Sequence, residues 1–167
     1  AQHRVPVSAL CVAAAVTATM ALRWIKTMTD AGLFVRRADP HEAGLFHTAF
    51  LMPSRAALAR WLIHVANAGV QLQGASDHLV SEAIYLADPE GNGIEVYVDR
   101  PRDRWHGPDG VIKMATERLD LNELARASDG PWTGAPEGLV LGHVHLQVGA
   151  IPEAEAFYSG LLGLPVM

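Results

Sequence analysis

The sequence predicts an α+β fold in which a strand and a helix are followed by three further strands. Runs rich in β-branched and aromatic residues flank the turn sequence Asp88-Pro-Glu-Gly-Asn92, which predicts an antiparallel hairpin. An amphipathic helical pattern precedes the hairpin, and an apolar strand that carries a histidine precedes that helix. The same opening, a histidine-bearing strand and then a helix, recurs after residue 139, which indicates an internal repeat of the unit.

Residues 1–43 are predicted to form a first module that is degenerate. We expect a buried strand near residues 8–12 and a helix at about residues 19–31. The uncharged run at residues 9–21 also has the outline of a secretory signal, but it is shorter than the about 20 apolar residues that span a bilayer. We prefer the strand and the helix, because the helical pattern continues past the apolar run through Lys26 and Asp30.

Residues 44–105 are predicted to form a complete β-α-β-β-β module. Its elements are a strand at residues 45–52, a helix capped by Ser54 and ended by Gly69, an extended segment at residues 70–72, and a hairpin of residues 79–86 and 93–98. Residues 106–138 are predicted to be a connector rich in proline and glycine, with one short helix at residues 121–127. Residues 139–167 are expected to start a further, truncated module, with a strand at residues 139–148 and a helix at residues 152–162.

The hairpin register predicts one close pair of side chains. If the turn is centred on Glu90, Tyr85 lies directly opposite Glu95, and the two side chains share one face of the sheet. A carboxylate between Ile94 and Val96 is costly to bury without a partner, which favours a nearby cation or metal ion. The alternative is an edge-strand glutamate that faces water.

Composition narrows the classes of partner and compartment. The chain has 167 residues, half of them hydrophobic, and a formal charge of −5, so no basic surface for nucleic acid is expected. No membrane partner is expected either. Cys11 is the single cysteine, which excludes an internal disulfide and fits a cytoplasmic location. Exposed strand edges in a truncated module favour pairing with another chain, so we expect a homo-oligomer.

Three motifs together resemble the vicinal oxygen chelate superfamily, which includes glyoxalase I, bleomycin-resistance proteins and extradiol ring-cleaving dioxygenases. They are His47 on a first strand, the Asp88-Pro-Glu-Gly-Asn-Gly-Ile-Glu95 hairpin, and Leu141-Gly-His-Val-His-Leu-Gln-Val148 followed by Ala154-Glu-Ala-Phe-Tyr-Ser-Gly-Leu-Leu-Gly-Leu164. Within the superfamily, residues 44–53 and 74–101 most resemble catechol 2,3-dioxygenases. The resemblance implies a glyoxalase-like fold, with paired β-α-β-β-β modules that form curved sheets around a central cavity.

The resemblance also implies a metal site. Extradiol enzymes hold Fe(II), or occasionally Mn(II), with two histidines and one glutamate. His47 and Glu95 match two of these ligands, and Tyr85 matches a tyrosine that hydrogen-bonds the bound catecholate. The third ligand is expected near residues 8–12, where the sequence offers no such side chain. His143 occupies the equivalent position of the following module, where it either belongs to a separate C-terminal site or completes the triad.

The sequence predicts the roles of two further histidines less specifically. His78 lies near the place where extradiol enzymes keep an acid-base histidine, and histidine side chains titrate close to neutral pH. It is alternatively a loop histidine that caps a turn, and Asp77 is a candidate to orient it. His64 is expected to pack at a helix interface.

The resemblance implies a specific reaction. We expect metal-dependent opening of a catechol-like aromatic ring by O₂, with Tyr85 and His78 managing protons. The alternatives are a metal-free binding module of the bleomycin-resistance type, in which His47 and Glu95 line a pocket, and a glyoxalase-like isomerase that activates water.

Overall fold

The structure of the chain, a computed structural model, describes residues 8–17 and 43–166. The strands are β1 (Ser8–Thr17), β2 (Gly44–Leu51), β3 (Gly74–Asp77), β4 (Ser81–Ala87), β5 (Gly93–Asp99), β6 (Glu117–Arg118) and β7 (Val140–Val148). The α-helices are α1 (Arg55–Asn67), α2 (Leu121–Arg126) and α3 (Ile151–Glu155). A 3₁₀ turn covers Arg102–Arg104, and a π-helical turn, Ala156–Leu161, continues α3.

The seven strands within the described residues join one mixed sheet in the order β1-β7-β2-β5-β4-β3-β6. Strands β2 and β5 are parallel, and the other neighbouring pairs are antiparallel. The predicted α+β class is therefore confirmed, and the strand-helix-strand-strand-strand order of residues 44–99 is compatible with a glyoxalase-like fold. The pairing of whole modules around a cavity stays a prediction.

Helix α1 forms where capping and helical spacing predict it. The Ser54 hydroxyl oxygen accepts a hydrogen bond of 3.1 Å from the Ala57 amide, which satisfies one of the free N–H groups at the helix start. Leu58, Leu62 and Val65 are buried on one side, and burial of each such side chain contributes about 1.5–3 kcal/mol. Gly69 follows the helix with φ of +70°, a conformation that glycine adopts without strain.

The two faces of the sheet carry different side chains. On one face, strand residues such as Ile84, Val96 and Val98 pack with Leu58 and Leu62 of α1 in the main hydrophobic core. Successive strand residues point to opposite faces, so the residues next to these in sequence lie on the other side of the sheet. We call this second side, away from α1, the open face.

The structure corrects several boundaries. Residues 70–72 are not a strand, because the Val70 amide still bonds the Val65 carbonyl at the helix end, and the strand begins only at Gly74. Strand β6 lies inside the predicted connector, where it pairs with β3. The helix expected at residues 152–162 is split between α3 and the π-helical turn.

Two further expectations concern the helices. The helix predicted at residues 19–31 lies outside the described residues. Among the residues that the structure describes, no helix has the length and apolarity needed to cross a bilayer.

Candidate metal centre

Three neighbouring strands bring two histidines and a glutamate together on the open face. Strand β2 lies between β7 and β5, and its Ala49 pairs with His143 on one side and with Glu95 on the other. His47, two residues before Ala49, lies on the same face. Ala49 is small and fully buried, which leaves the space above it to the three longer side chains.

The three side chains present one potential ligand atom each, and these atoms lie within 4.8 Å of one another. Glu95 Oε2 lies 2.8 Å from His47 Nε2 and 3.3 Å from His143 Nε2. His47 and Glu95 are buried, and His143 is partly buried. Two imidazoles and one carboxylate form the donor set that non-haem iron sites use.

One atom of this cluster lacks a hydrogen bond. His47 Nε2 is buried, and no described residue is aligned to hydrogen-bond it, although Glu95 Oε2 is close. A buried polar atom without a partner is costly, and a coordinated cation is one way to satisfy it. The cluster therefore fits a metal ion both by its donor set and by its unsatisfied nitrogen.

The carboxylate of Glu95 is held in its charged form. Burial opposes ionisation and would raise the pKa, but contact with the imidazoles of His143 and His47 outweighs it and lowers the pKa to about 2. Glu95 is thus a ready anionic ligand at neutral pH. Opposition between burial and neighbouring groups is typical of functional sites as well as of structural ion pairs.

A glycine permits the close approach of β5 to β2. Gly93 pairs with His47, and a Cβ atom at position 93 would overlap the Phe46 carbonyl oxygen and lie 3.0 Å from the His47 Cβ. Any other residue would therefore push the two strands apart. Gly93, the first residue of β5, therefore sets the spacing of the strands that carry His47 and Glu95.

Tyr85 and Glu95 are directly opposed on β4 and β5, as the turn predicts. The Tyr85 hydroxyl lies 2.8 Å from His78 Nε2, and His78 Nδ1 lies 2.8 Å from the Ala115 carbonyl oxygen. Since a carbonyl oxygen only accepts, Nδ1 carries a proton, and in the tautomer protonated at Nδ1 alone Nε2 accepts from the phenol. Tyr85 and His78 therefore form a hydrogen-bonded pair whose geometry the main chain at residue 115 sets.

Asp77 does not orient His78, contrary to expectation. Its carboxylate accepts from the Leu79 amide at 2.8 Å and pairs with Arg100 at 2.5 Å. Those two partners hold the carboxylate, and the Ala115 carbonyl takes the role that Asp77 was expected to have. His64 stacks on Trp132, away from the cluster, as expected of a packing residue.

Strand β7, which carries His143, lies directly beside β2, which carries His47. Strand β7 lies between β1 and β2, so β1 is one strand further from His47 than a direct neighbour would be. His143 thus lies beside His47 and Glu95, and its role as the third metal ligand stays a prediction.

Three more aromatic side chains surround the cluster. His145 pairs opposite His47 with their ring centroids 4.7 Å apart, and burial together with the neighbouring histidines His47 and His143 lowers its pKa to about 4. The ring centroids of Phe46 and His145 lie 4.8 Å apart. The β2–β7 register shifts between Leu45 and His47, which brings Phe46 to this side. The ring centroids of Tyr97 and His143 lie 5.1 Å apart.

The sequence reasoning missed Phe46 and Tyr97. Tyr97 had a signal, because it lies two residues after Glu95 and therefore shares its face. Phe46 had none, because strict alternation assigns it to the opposite face and only the irregular register brings it to this cluster.

The chain is similar to two known dioxygenases. It is 42% identical over 126 residues to the catechol-2,3-dioxygenase of Bacillus subtilis (strain 168), a match that covers 74% of this chain and 44% of that protein. It is 32% identical over 60 residues to biphenyl-2,3-diol 1,2-dioxygenase 3 of Rhodococcus globerulus, covering 36% of this chain and 32% of that protein.

These similarities support the family resemblance drawn from the motifs. The chain matches less than half the length of each relative. No model of a protein family matches the chain, and no solved structure matches it.

Proposed function

We propose that this chain carries the metal centre of an extradiol-type, ring-cleaving dioxygenase of the vicinal oxygen chelate superfamily. In this proposal His47, Glu95 and His143 hold one divalent ion, Fe(II) or alternatively Mn(II), and the substrates are a catechol-like aromatic compound and O₂. The observation that carries the proposal is the convergence of two imidazoles and one carboxylate from three adjacent strands. Similarity to a catechol-2,3-dioxygenase supports the choice of reaction.

The ligand residues are suited to a divalent ion for two reasons. Glu95 supplies a full negative charge, because its low pKa keeps it ionised at the pH of the cell. Strand pairing on both sides of β2 fixes the backbone of all three residues, so little conformational entropy is lost when an ion binds. When bound, such an ion supplies a Lewis-acidic, redox-active centre with open positions for both substrates.

Tyr85 and His78 are proposed to move the catechol proton. A substrate hydroxyl near Tyr85 passes its proton to the phenol oxygen while the phenol proton passes to His78 Nε2, across the 2.8 Å hydrogen bond. The His78 ring then carries a proton on each nitrogen, and the Ala115 carbonyl continues to accept from Nδ1. Reversal of the two transfers returns the proton to the product.

The first test measures metal content and oxygen use together. The chain is reconstituted anaerobically with Fe(II), analysed for bound iron, and then mixed with catechol in an oxygen electrode. We expect about one ion per chain and oxygen uptake that depends on catechol. His47→Ala and Glu95→Ala should lose the iron, since two ligands hold a divalent ion much more weakly than three.

His64→Ala is the matched control, because it removes a histidine that lies outside the cluster. It should retain both iron and activity. Bound iron without oxygen uptake would contradict the dioxygenase assignment and favour an isomerase. Absence of bound iron after reconstitution would contradict the metal centre and favour the metal-free binding module.

A further inference from the structure

The strand that carries His143 is irregular at the residue before it. Along β2, Ala49 pairs with His143 but the next residue pairs with Leu141, so Gly142 is an extra residue in β7. The pairing of β7 with β1 also shifts over this stretch, between Ala13 and Val16. A bulge of this kind bends the strand and changes the direction of the side chain beside it.

The phenol of Tyr97, two strands away, lies against Gly142 of the bulge. Tyr97 is on β5, and β2 separates β5 from β7, so its ring lies across β2 and packs with Ala49. A Cβ atom at Gly142 would overlap the Tyr97 hydroxyl and lie 2.8 and 2.9 Å from two of its ring carbons. The absence of a side chain at residue 142 is therefore what admits the phenol.

The phenol reaches the nitrogen of His143 that does not face the cluster. Tyr97 Oη lies 3.3 Å from His143 Nδ1, while Nε2 of the same ring lies 3.3 Å from Glu95 Oε2. The two ring nitrogens thus have separate partners. A hydroxyl both donates and accepts, so it matches Nδ1 whether or not that nitrogen carries a proton.

We propose that Tyr97 is a positioning residue for His143, held in place by the space at Gly142. With an ion on Nε2, Nδ1–H donates to the Tyr97 oxygen, which fixes the tautomer and the ring orientation that coordination needs. Tyr97 differs in role from Tyr85, whose hydroxyl meets His78. The inference rests on the proposed metal centre and adds to it a fourth residue that never touches the ion.

The test uses Tyr97→Phe, which keeps the ring and removes only the hydroxyl. Mn(II) alone is the probe, and its dissociation constant is measured by equilibrium titration. We expect binding to weaken by about 10-fold to 100-fold, the usual effect of losing a hydrogen-bond partner of a metal-bound histidine. Gly142→Ala should weaken binding at least as much, because its methyl group displaces the phenol.

Tyr158→Phe is the matched control, since Tyr158 lies on the π-helical turn and its substitution should leave Mn(II) binding unchanged. A second readout is independent of metal: the ¹⁵N resonance of His143 Nδ1 in the metal-free protein should shift in Tyr97→Phe. Thermal unfolding confirms that each variant is folded.

The outcomes separate the two proposals. Unchanged Mn(II) affinity or an unchanged Nδ1 resonance in folded Tyr97→Phe would overturn the role of Tyr97. If the wild-type chain binds no Mn(II) or Fe(II), the metal centre is overturned, and the Nδ1 resonance alone then decides whether Tyr97 positions His143.

Discussion

The two faces of the sheet differ in how their buried charged and polar side chains are partnered. The face under α1 buries apolar side chains, and its buried charge at Glu82 is compensated by Arg55, which bonds both carboxylate oxygens at 2.6 and 3.0 Å. The open face buries a carboxylate and an imidazole with a nitrogen that no described residue hydrogen-bonds. The first arrangement satisfies both carboxylate oxygens of Glu82 within the described residues, and the second leaves the His47 nitrogen available to a ligand.

The two faces also differ in the groups that accompany their carboxylates. Arg55 joins Glu82 to Glu123 of α2, and side-chain hydrogen bonds to these carboxylates raise the pKa of the guanidinium. The pair at Glu82 is bidentate, the strongest geometry for such a contact. On the open face the side chains that contact Glu95 are the imidazoles of His47 and His143, a type of group that also binds metal ions.

The largest expected effect tests the stabilising role of the helix-covered face. Leu58→Ala removes a fully buried side chain, so the free energy of unfolding should fall by about 2–5 kcal/mol. The folded fraction should bind Mn(II) as tightly as the wild type, because Leu58 lies on the other side of the sheet from the cluster. Urea denaturation and metal titration at a temperature where the variant is folded measure the two quantities.

Ile63→Ala on the same helix is the control, because Ile63 is 37% exposed and its loss should cost clearly less. A loss of Mn(II) affinity in folded Leu58→Ala would show that the two faces are not independent.

The next effect tests the charge on the open face by pH. The pKa of Glu95 is about 2 in the folded chain, below the ordinary value of 4.5, so its ionised form stabilises the fold. This contribution, about 3 kcal/mol from the difference in pKa, is complete above pH 4.5 and is lost as the pH falls toward 2. In the metal-free Glu95→Gln variant, the free energy of unfolding should therefore fall less steeply over that range.

Glu137→Gln, at an exposed position, is the comparison variant and should keep the wild-type acid profile. Urea denaturation at a series of pH values supplies the curves. An identical acid limb in Glu95→Gln and the wild type would mean that the histidines do not hold the Glu95 charge.

The smallest of the three effects tests the proposed catalytic role of the open face. Tyr85→Phe removes the hydroxyl that meets His78 Nε2, so kcat/KM for catechol should fall about 100-fold while Mn(II) affinity is kept. Because the two residues are proposed to act as one relay, Tyr85→Phe combined with His78→Gln should be hardly worse than either alone.

Oxygen uptake over a range of catechol concentrations separates kcat from KM for the single and double variants. Losses that multiply in the double variant would show that Tyr85 and His78 act separately. Tyr158→Phe again serves as the control for the loss of a phenol hydroxyl.

Local chemistry was sufficient to predict the hairpin and the helix before it. The turn formers between β4 and β5 determine the register, and that register puts Tyr85 opposite Glu95. Ser54 and Gly69 set the ends of α1 within a few residues, because caps depend on neighbours in sequence. Each of these predictions required only contacts between residues close together in the chain.

The sequence by itself determined which side chains share a face within one module, since alternation along a strand is a property of the backbone. Tertiary structure alone decided that β7 pairs with β2. This pairing places His143 beside Ala49, although more than 90 residues of chain separate the two. Tertiary structure also decided the bulge at Gly142 and the approach of Tyr97, because the pairing of distant strands depends on the packing of the whole sheet. The pairing of Tyr85 with Glu95 is thus encoded locally, whereas the approach of His143 is a consequence of the fold.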